Sequence, residues 1–200
     1  MRVILASNNE NKLREMQAIL SPLGWEILRQ KDVGLHLDPD ENGLTFEENS
    51  KIKAVAVMEA SGLPAIADDS GVTVDALHGD PGVHSARYGG ERCKTDEDRN
   101  QYLLRNMENV PDGQRGAQFV SVITMAYPDG KIVSARGELH GEILRQEQGT
   151  GGFGYDPLFY IPTEGCTMAE LTAERKNEIS HRAVALQNFV DRLRWNNADK

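Results

Sequence analysis

The chain is 200 residues long and carries 31 acidic against 22 basic side chains, for a formal net charge of −9. That length suits one domain, residues 1–200, with a core of its own. The acidic balance, with no Lys/Arg run interleaved with aromatics, excludes a nucleic acid polymer as partner but not a small polyphosphate whose charge a cation screens.

In chain order, Arg2 to Ala6 reads as a buried strand. Its four apolar residues are too few for a signal peptide or a membrane span, which leads to the expectation of a cytoplasmic protein with no membrane partner. Leu13, Met16 and Leu20 then recur at helical spacing up to Pro22. Thr45-Phe46-Glu47-Glu48 is a capping box opening a helix that carries Ile52, Val55, Ala56 and Glu59 and stops at Gly62. Ala65-Ile66-Ala67 follows as a short strand delivering Asp68, Asp69, Ser70 and Gly71 to a tight loop.

Thr95 caps a third helix with an acidic first turn, Asp96 to Asp98. Ala117 to Tyr127 is a long apolar strand that turns at Pro128-Asp129-Gly130 into Ile132 to Arg136. Thr167 to Glu170 opens a short helix, and Ser180 caps the last, whose core stripe is Leu186, Phe189, Val190 and Leu193. The fold class is therefore α/β, with a mixed central sheet and flanking helices.

Four places break local helix and turn logic. Neighbouring anions at a strand end repel, so Asp68 and Asp69 ask for a hard cation or an abstracted proton. Lys12, after Ser7-Asn8-Asn9-Glu10-Asn11, is a cation at a helix start, where a phosphate would meet free backbone N–H groups, the helix dipole and the ammonium together. His181-Arg182 repeats that conflict after Ser180, with donors suited to a keto oxygen, a ring nitrogen or a phosphate. Gly149 to Pro157 is dense in glycine, and its Phe153 and Tyr155 suit the walls of a flat slot. The two cysteines, Cys93 and Cys166, form no CxxC or Cys/His cluster, so metal ligands are expected to be oxygens. His36, His78, His84 and His140 lack ligand spacing and read as surface or packing residues. An anion end, a metal centre and a base slot together describe a nucleoside triphosphate.

SNNENK, LTFEEN, AIADDSG, PGVHSARY, GTGGFGYDP and ERKNEISHR, in that order between about residues 3 and 194, resemble the inosine/xanthosine triphosphate pyrophosphatases. The resemblance implies Mg²⁺-dependent hydrolysis of ITP, dITP and XTP to the monophosphate and pyrophosphate, by a homodimer whose elongated subunit has a cleft between two lobes. By matching position it implies that Ser7, Asn8, Asn9, Glu10, Asn11 and Lys12 embrace the phosphates and that Asp69 is the proton acceptor. Glu41 and Asp69, with Asp68 as a third candidate, would hold the metal, and Ser70 would touch the substrate. Phe153, Gly154, Tyr155 and Asp156 would line the base and sugar pocket, and Lys176, His181 and Arg182 would complete base recognition. The family's first loop usually has glycine where Asn8 stands here, and asparagine is expected to accommodate left-handed dihedrals there.

Donors from Arg182 and backbone N–H groups would accept a 6-keto oxygen and reject a 6-amino group, a discrimination that reaches about 10⁴ in favourable cases. Two other classes stay open: a related phosphatase or pyrophosphatase acting on modified pyrimidines, and a nucleotide sensor without turnover. Arg87 is open between a phosphate and a dimer partner.

Overall fold

A computed structural model describes residues 1–198. Seven strands are hydrogen-bonded in the order β2-β1-β3-β4-β5-β6-β7, with β1 Arg2–Leu5, β2 Glu26–Arg29, β3 Ala65–Val74, β4 Gly116–Ala126, β5 Ile132–Ile143, β6 Phe159–Ile161 and β7 Cys166–Thr167. β1 runs parallel to β2 and β3, whereas β6 is antiparallel to β5 and β7, so the sheet is mixed as the sequence predicts. Five α-helices accompany it: α1 Glu10–Leu20, α2 Phe46–Ser61, α3 Asp96–Asn106, α4 Ala173–Ile179 and α5 His181–Ala198. The chain divides into two compact units, with the divisions falling inside β3 after Asp69, inside β4 after Val120, inside β5 after Gly137, and after Ile179.

The first unit holds β1, β2, α1, α2, α5 and the adjoining parts of β3, β4 and β5. Val3–Leu5 of β1 and the parts of β3 and β4 in this unit are buried on both faces, and the period of two sorts their side chains. Val3, Leu5 and Ile66 join Leu13, Met16 and Leu20 of α1 and Ala185, Leu186 and Phe189 of α5. Ile4, Ala6, Ala65 and Ala67 join Ala54 and Val57 of α2. The predicted boundaries of α1 and α2 hold because their caps form: Asn9 Oδ1 accepts from the N–H groups of Asn11 and Lys12, and Thr45 and Glu48 complete the reciprocal box. At α5, Ser180 Oγ accepts from Ala183 N–H at 3.1 Å.

The face of α2 differs from expectation. Its buried stripe is Phe46, Asn49, Ser50, Lys53, Ala54 and Val57, while Ile52, Val55 and Ala56 are half-buried and Glu59 is exposed. Counting apolar residues misleads here because the inward polar groups have partners. Ser50 Oγ donates 2.9 Å to the carbonyl of Val122 in β4, and Lys53 meets two carboxylates.

In the second unit, Val72, Val74, Leu103, Met107, Phe119, Ile143, Leu158 and Phe159 form a separate core. The buried guanidinium of Arg115 donates to the carbonyls of Ile143, Met107, Val110 and Leu144, tying loops where no strand ladder reaches. The Thr167 box forms only a short 3-10 turn, Met168–Glu170, and α4 follows it.

The loop expected at Asp-Ser-Gly is absent: β3 continues through it to Val74. A Cβ on Gly71 would lie 2.3 Å from Ser85 Oγ and 2.5 Å from the carbonyl oxygen of Gly82, so glycine here admits a close neighbour rather than a turn. Ser85 Oγ takes the N–H of Val72 at 3.0 Å, which holds that neighbour on the strand.

Candidate active site

Because β3 is continuous, Asp68 and Asp69 point to opposite faces of the sheet and do not confront each other. Asp68 shares the side of Ile66 and meets α1 and α5. Its Oδ2 lies 2.8 Å from Lys12 Nζ and 3.0 Å from Arg182 Nη2, and its Oδ1 accepts from Ser121 Oγ at 2.5 Å. Asp69 shares the side of Ala67 and meets α2, with Oδ1 2.8 Å from Lys53 Nζ. The same ammonium lies 2.8 Å from Glu41 Oε1 and 3.1 Å from the carbonyl oxygen of Asp68.

The two acids consequently differ in character. Burial pushes the Asp68 carboxyl up, but Arg182 and Lys12, aided by the Ser121 hydroxyl, outweigh it and hold the group well below the usual carboxylate range. Burial likewise pushes Asp69 up, and here the pull of Lys53 is too small to cancel it, so Asp69 stays above its ordinary value. Desolvation lowers Lys12 despite Asp68, whereas Asp69 and Glu41 overcome the desolvation of Lys53 and raise it. An anion fixed by cations and an acid with an elevated pKa are the materials of a brace and a base.

Asp69 Oδ2 is buried and has no hydrogen-bond partner. With Glu41 and Asp69 converging on one ammonium, these carboxylate oxygens fit a hard divalent cation. Among the described residues no group of three His, Cys, Asp or Glu side chains converges. Asp68, the third candidate, has Oδ1 accepting from Ser121 and Oδ2 against Lys12 and Arg182.

The first loop is built from its own side chains. Ser7 Oγ accepts from Asn9 N–H at 3.1 Å, Asn9 caps α1, Asn11 Oδ1 takes Arg14 Nη2 at 3.3 Å, and Glu10 lies 3.6 Å from Lys31. Asn8 is exposed and does not need the left-handed conformation expected of it: among the described residues His78 is the only non-glycine with positive φ. Ser7, Asn8, Asn9, Glu10, Arg29 and His36 border a cavity of about 200 Å³ in this unit, which gives the loop open space beside its backbone.

His181 is buried as the first residue of α5. Arg182 is 1% exposed, and besides Asp68 its Nη1 donates to Glu15. The electron-rich groups predicted at this helix start therefore include two carboxylates of the protein itself. Lys53, Glu15 and Ser121 were not singled out by sequence reasoning. Their signals, a lysine on the inner face of α2, a glutamate one turn after Lys12 and a hydroxyl inside an apolar strand, acquire meaning only once the sheet is assembled.

In the second unit, which begins at Ser70, a smaller polar cluster brings together Phe153, Asp156 and Lys176. Asp156 Oδ2 accepts from Lys176 Nζ at 2.7 Å and from Phe153 N–H at 3.0 Å, and the Lys176 ammonium lies 4.7 Å from the centre of the Phe153 ring. Gly154 has φ +62°. Tyr155 is buried in the core of this unit with its hydroxyl donating to the carbonyl of Ser85 at 2.8 Å, and burial raises its pKa.

The Ham1 family pattern matches residues 3–192. Over 191 residues the chain is 49% identical to a dITP/XTP pyrophosphatase of Thermus thermophilus, covering 96% of this chain and 91% of that protein. It is 51% identical to a dITP/XTP pyrophosphatase of Haemophilus ducreyi, covering 92% and 94%. The solved structure of a HAM1 protein from Coxiella burnetii superimposes with a TM-score of 0.87 at 42% identity, over 96% of this chain and 98% of that one. With the family pattern spanning residues 3–192 and these extents of identity in agreement, the chain belongs to the Ham1 family.

Proposed function

We propose that this chain is a nucleoside-triphosphate pyrophosphatase that hydrolyses ITP, dITP and XTP to the nucleoside monophosphate and pyrophosphate. The observation that carries the reading is Asp69, fixed through Oδ1 by Lys53, with Oδ2 buried and not hydrogen-bonded and with a raised pKa. In this reading Asp69 takes a proton from the water that attacks the α-phosphorus, the α,β-anhydride P–O bond breaks, and pyrophosphate departs. Mg²⁺, held by Glu41 and Asp69, would neutralise charge on the phosphate oxygens. Ser7 to Lys12 bind the phosphates through side-chain and backbone donors, with Lys12 steadied by Asp68 and supplying positive charge to the leaving group. Ser70 contacts substrate beside the base.

Phe153 to Asp156, Lys176 and His181 are assigned to the purine and sugar. Since Arg182 donates to Asp68 and Glu15, selection of a 6-keto oxygen is assigned first to Lys176, His181 and backbone N–H groups, with Arg182 ordering the site from behind Asp68. The two units serve one catalytic domain, and as in the resemblance the protein is read as a cytoplasmic homodimer. No helix among the described residues is long and apolar enough to cross a membrane.

Product analysis with ITP and ATP in parallel, with Mg²⁺ and with chelator, tests the proposal. Metal-dependent pyrophosphate from ITP but not from ATP is expected. Orthophosphate, a preference for modified pyrimidines, or binding without product would favour the phosphatase or the sensor instead.

A further inference from the structure

The loop that supplies Phe153 and Gly154 is held from two sides. Inside, Asp156 takes Phe153 N–H and pairs with Lys176. Outside, one turn of α3 grips a single residue of the loop: Asp96 Oδ2 accepts from Gly154 N–H at 2.7 Å, and Asn100 Nδ2 donates to the Gly154 carbonyl at 3.2 Å. Residues 96 and 100 are four apart on the helix, so they present an acceptor and a donor from the same face.

Each arm is itself braced. Asp96 Oδ1 is paired with Arg99, and Asn100 Nδ2 also donates to Glu147 Oε1 at 2.7 Å. Two oxygen acceptors around Nδ2 fix the orientation of the amide. Asn100 is 2% exposed and its Oδ1 has no hydrogen-bond partner. A buried asparagine that leaves one atom unsatisfied while donating twice is costly as a fold element, and one of the two acceptors it serves belongs to the glycine loop. Gly154 sits at φ +62° with open space where a Cβ would stand, so these two hydrogen bonds act directly on a backbone conformation that favours glycine.

We propose that Asp96 and Asn100 are positioning residues for purine recognition: they fix the Gly154 backbone and so preorganise the segment that meets the base. The inference rests on the assignment of Phe153 to Asp156 to the purine. Preorganisation lowers the ordering cost of binding and leaves the proton transfer at Asp69 untouched, so its loss falls on KM and on base discrimination rather than on kcat.

The test compares Asp96→Ala, Asp96→Asn and Asn100→Ala with the parent chain, measuring ITP and ATP kinetics at saturating Mg²⁺ and hydrogen–deuterium exchange of peptides covering 150–157. Expected are faster exchange in that segment, a KM for ITP raised about tenfold in the two alanine variants with kcat within about twofold, and a narrowed preference for ITP over ATP. Asp96→Asn should recover most of the loss, because its amide oxygen can still accept from Gly154 N–H. Unchanged exchange in the alanine variants overturns the clamp, and faster exchange with unchanged KM and preference overturns its role in recognition. A parent chain inert toward ITP is a failure of the functional assignment instead, and the exchange measurement then still decides whether the clamp exists.

Discussion

Asp69 and Asp68 show how far one peptide bond can separate two chemical roles. A base must hold a proton loosely enough to lose it and tightly enough to take one, and burial against the partial pull of Lys53 moves Asp69 in that direction. Asp69→Asn keeps the volume and the bond length but removes the proton acceptor. Turnover of ITP is expected to fall by about 10³-fold or more with the circular dichroism spectrum and thermal midpoint nearly unchanged, and near-normal turnover would refute the base assignment. The pH profile follows from the sign of the shift. In the proposed reading turnover requires ionised Asp69, so kcat/KM rises with pH through its pKa; burial lifts that acidic limb above the ordinary carboxylate range and Mg²⁺ on the same carboxylate pulls it back, so the limb is expected to shift to lower pH as Mg²⁺ is raised towards saturation. Asp68, held far below that range, stays ionised across the same window and adds no limb.

At the scale of elements, α5 is seated by an absence. A Cβ on Gly137 of β5 would fall 2.2 Å from Ala185 N and 2.4 Å from the carbonyl oxygen of His181, both backbone atoms of that helix. The first turn of α5 thus lies against bare strand, and this seat sets the height of Arg182 over Asp68. Gly137→Ala must push the turn outward, so a loss of about 1–3 kcal/mol is expected from overpacking, together with a loss of activity larger than the stability change explains. Urea unfolding measured beside ITP kinetics separates the two, and a variant with normal stability and normal kinetics would contradict the seat. Asn9 as the cap of α1 emerges only in the structure, whereas the caps Thr45, Thr95 and Ser180 were legible in the sequence because each acts on an N–H group three residues away. The inner face of α2 and the course of Asp-Ser-Gly were not, since Ser50, Lys53 and Gly71 take their meaning from partners far along the chain. β2, β6 and β7 escaped notice because two to four residues carry too little periodicity to register.

For the molecule as a whole, the net charge of −9 sets a field that opposes an anionic substrate at long range, even though Lys12 and Lys53 gather positive charge locally. Salt screens the distant term first, over a Debye length of about 10 Å at 0.1 M. With Mg²⁺ held constant, kcat/KM for ITP at low ionic strength is therefore expected to rise modestly as inert salt is added, and a steep fall would show that local cations dominate the encounter. Sequence motifs located most of the candidate site as a set of segments, because glycine-rich turns and charges at helix starts are local anomalies. They did not reveal which charges neutralise one another, since Arg182 and Asp68 stand 114 residues apart.

The continuity of β3 also makes its register a switch between two chemistries. Alternation sends residue 68 to the helices α1 and α5 and residue 69 to α2. Inserting or deleting a single residue between Ala65 and Asp68 would flip those faces: a deletion would bring Asp69 to the place that faces Lys12 and Arg182, and an insertion would bring Asp68 to the place that faces Lys53. The sheet thereby acts as a sorting device: strand phase, more than the identity of either aspartate, decides which carboxylate is locked in a charge network and which is left able to accept a proton.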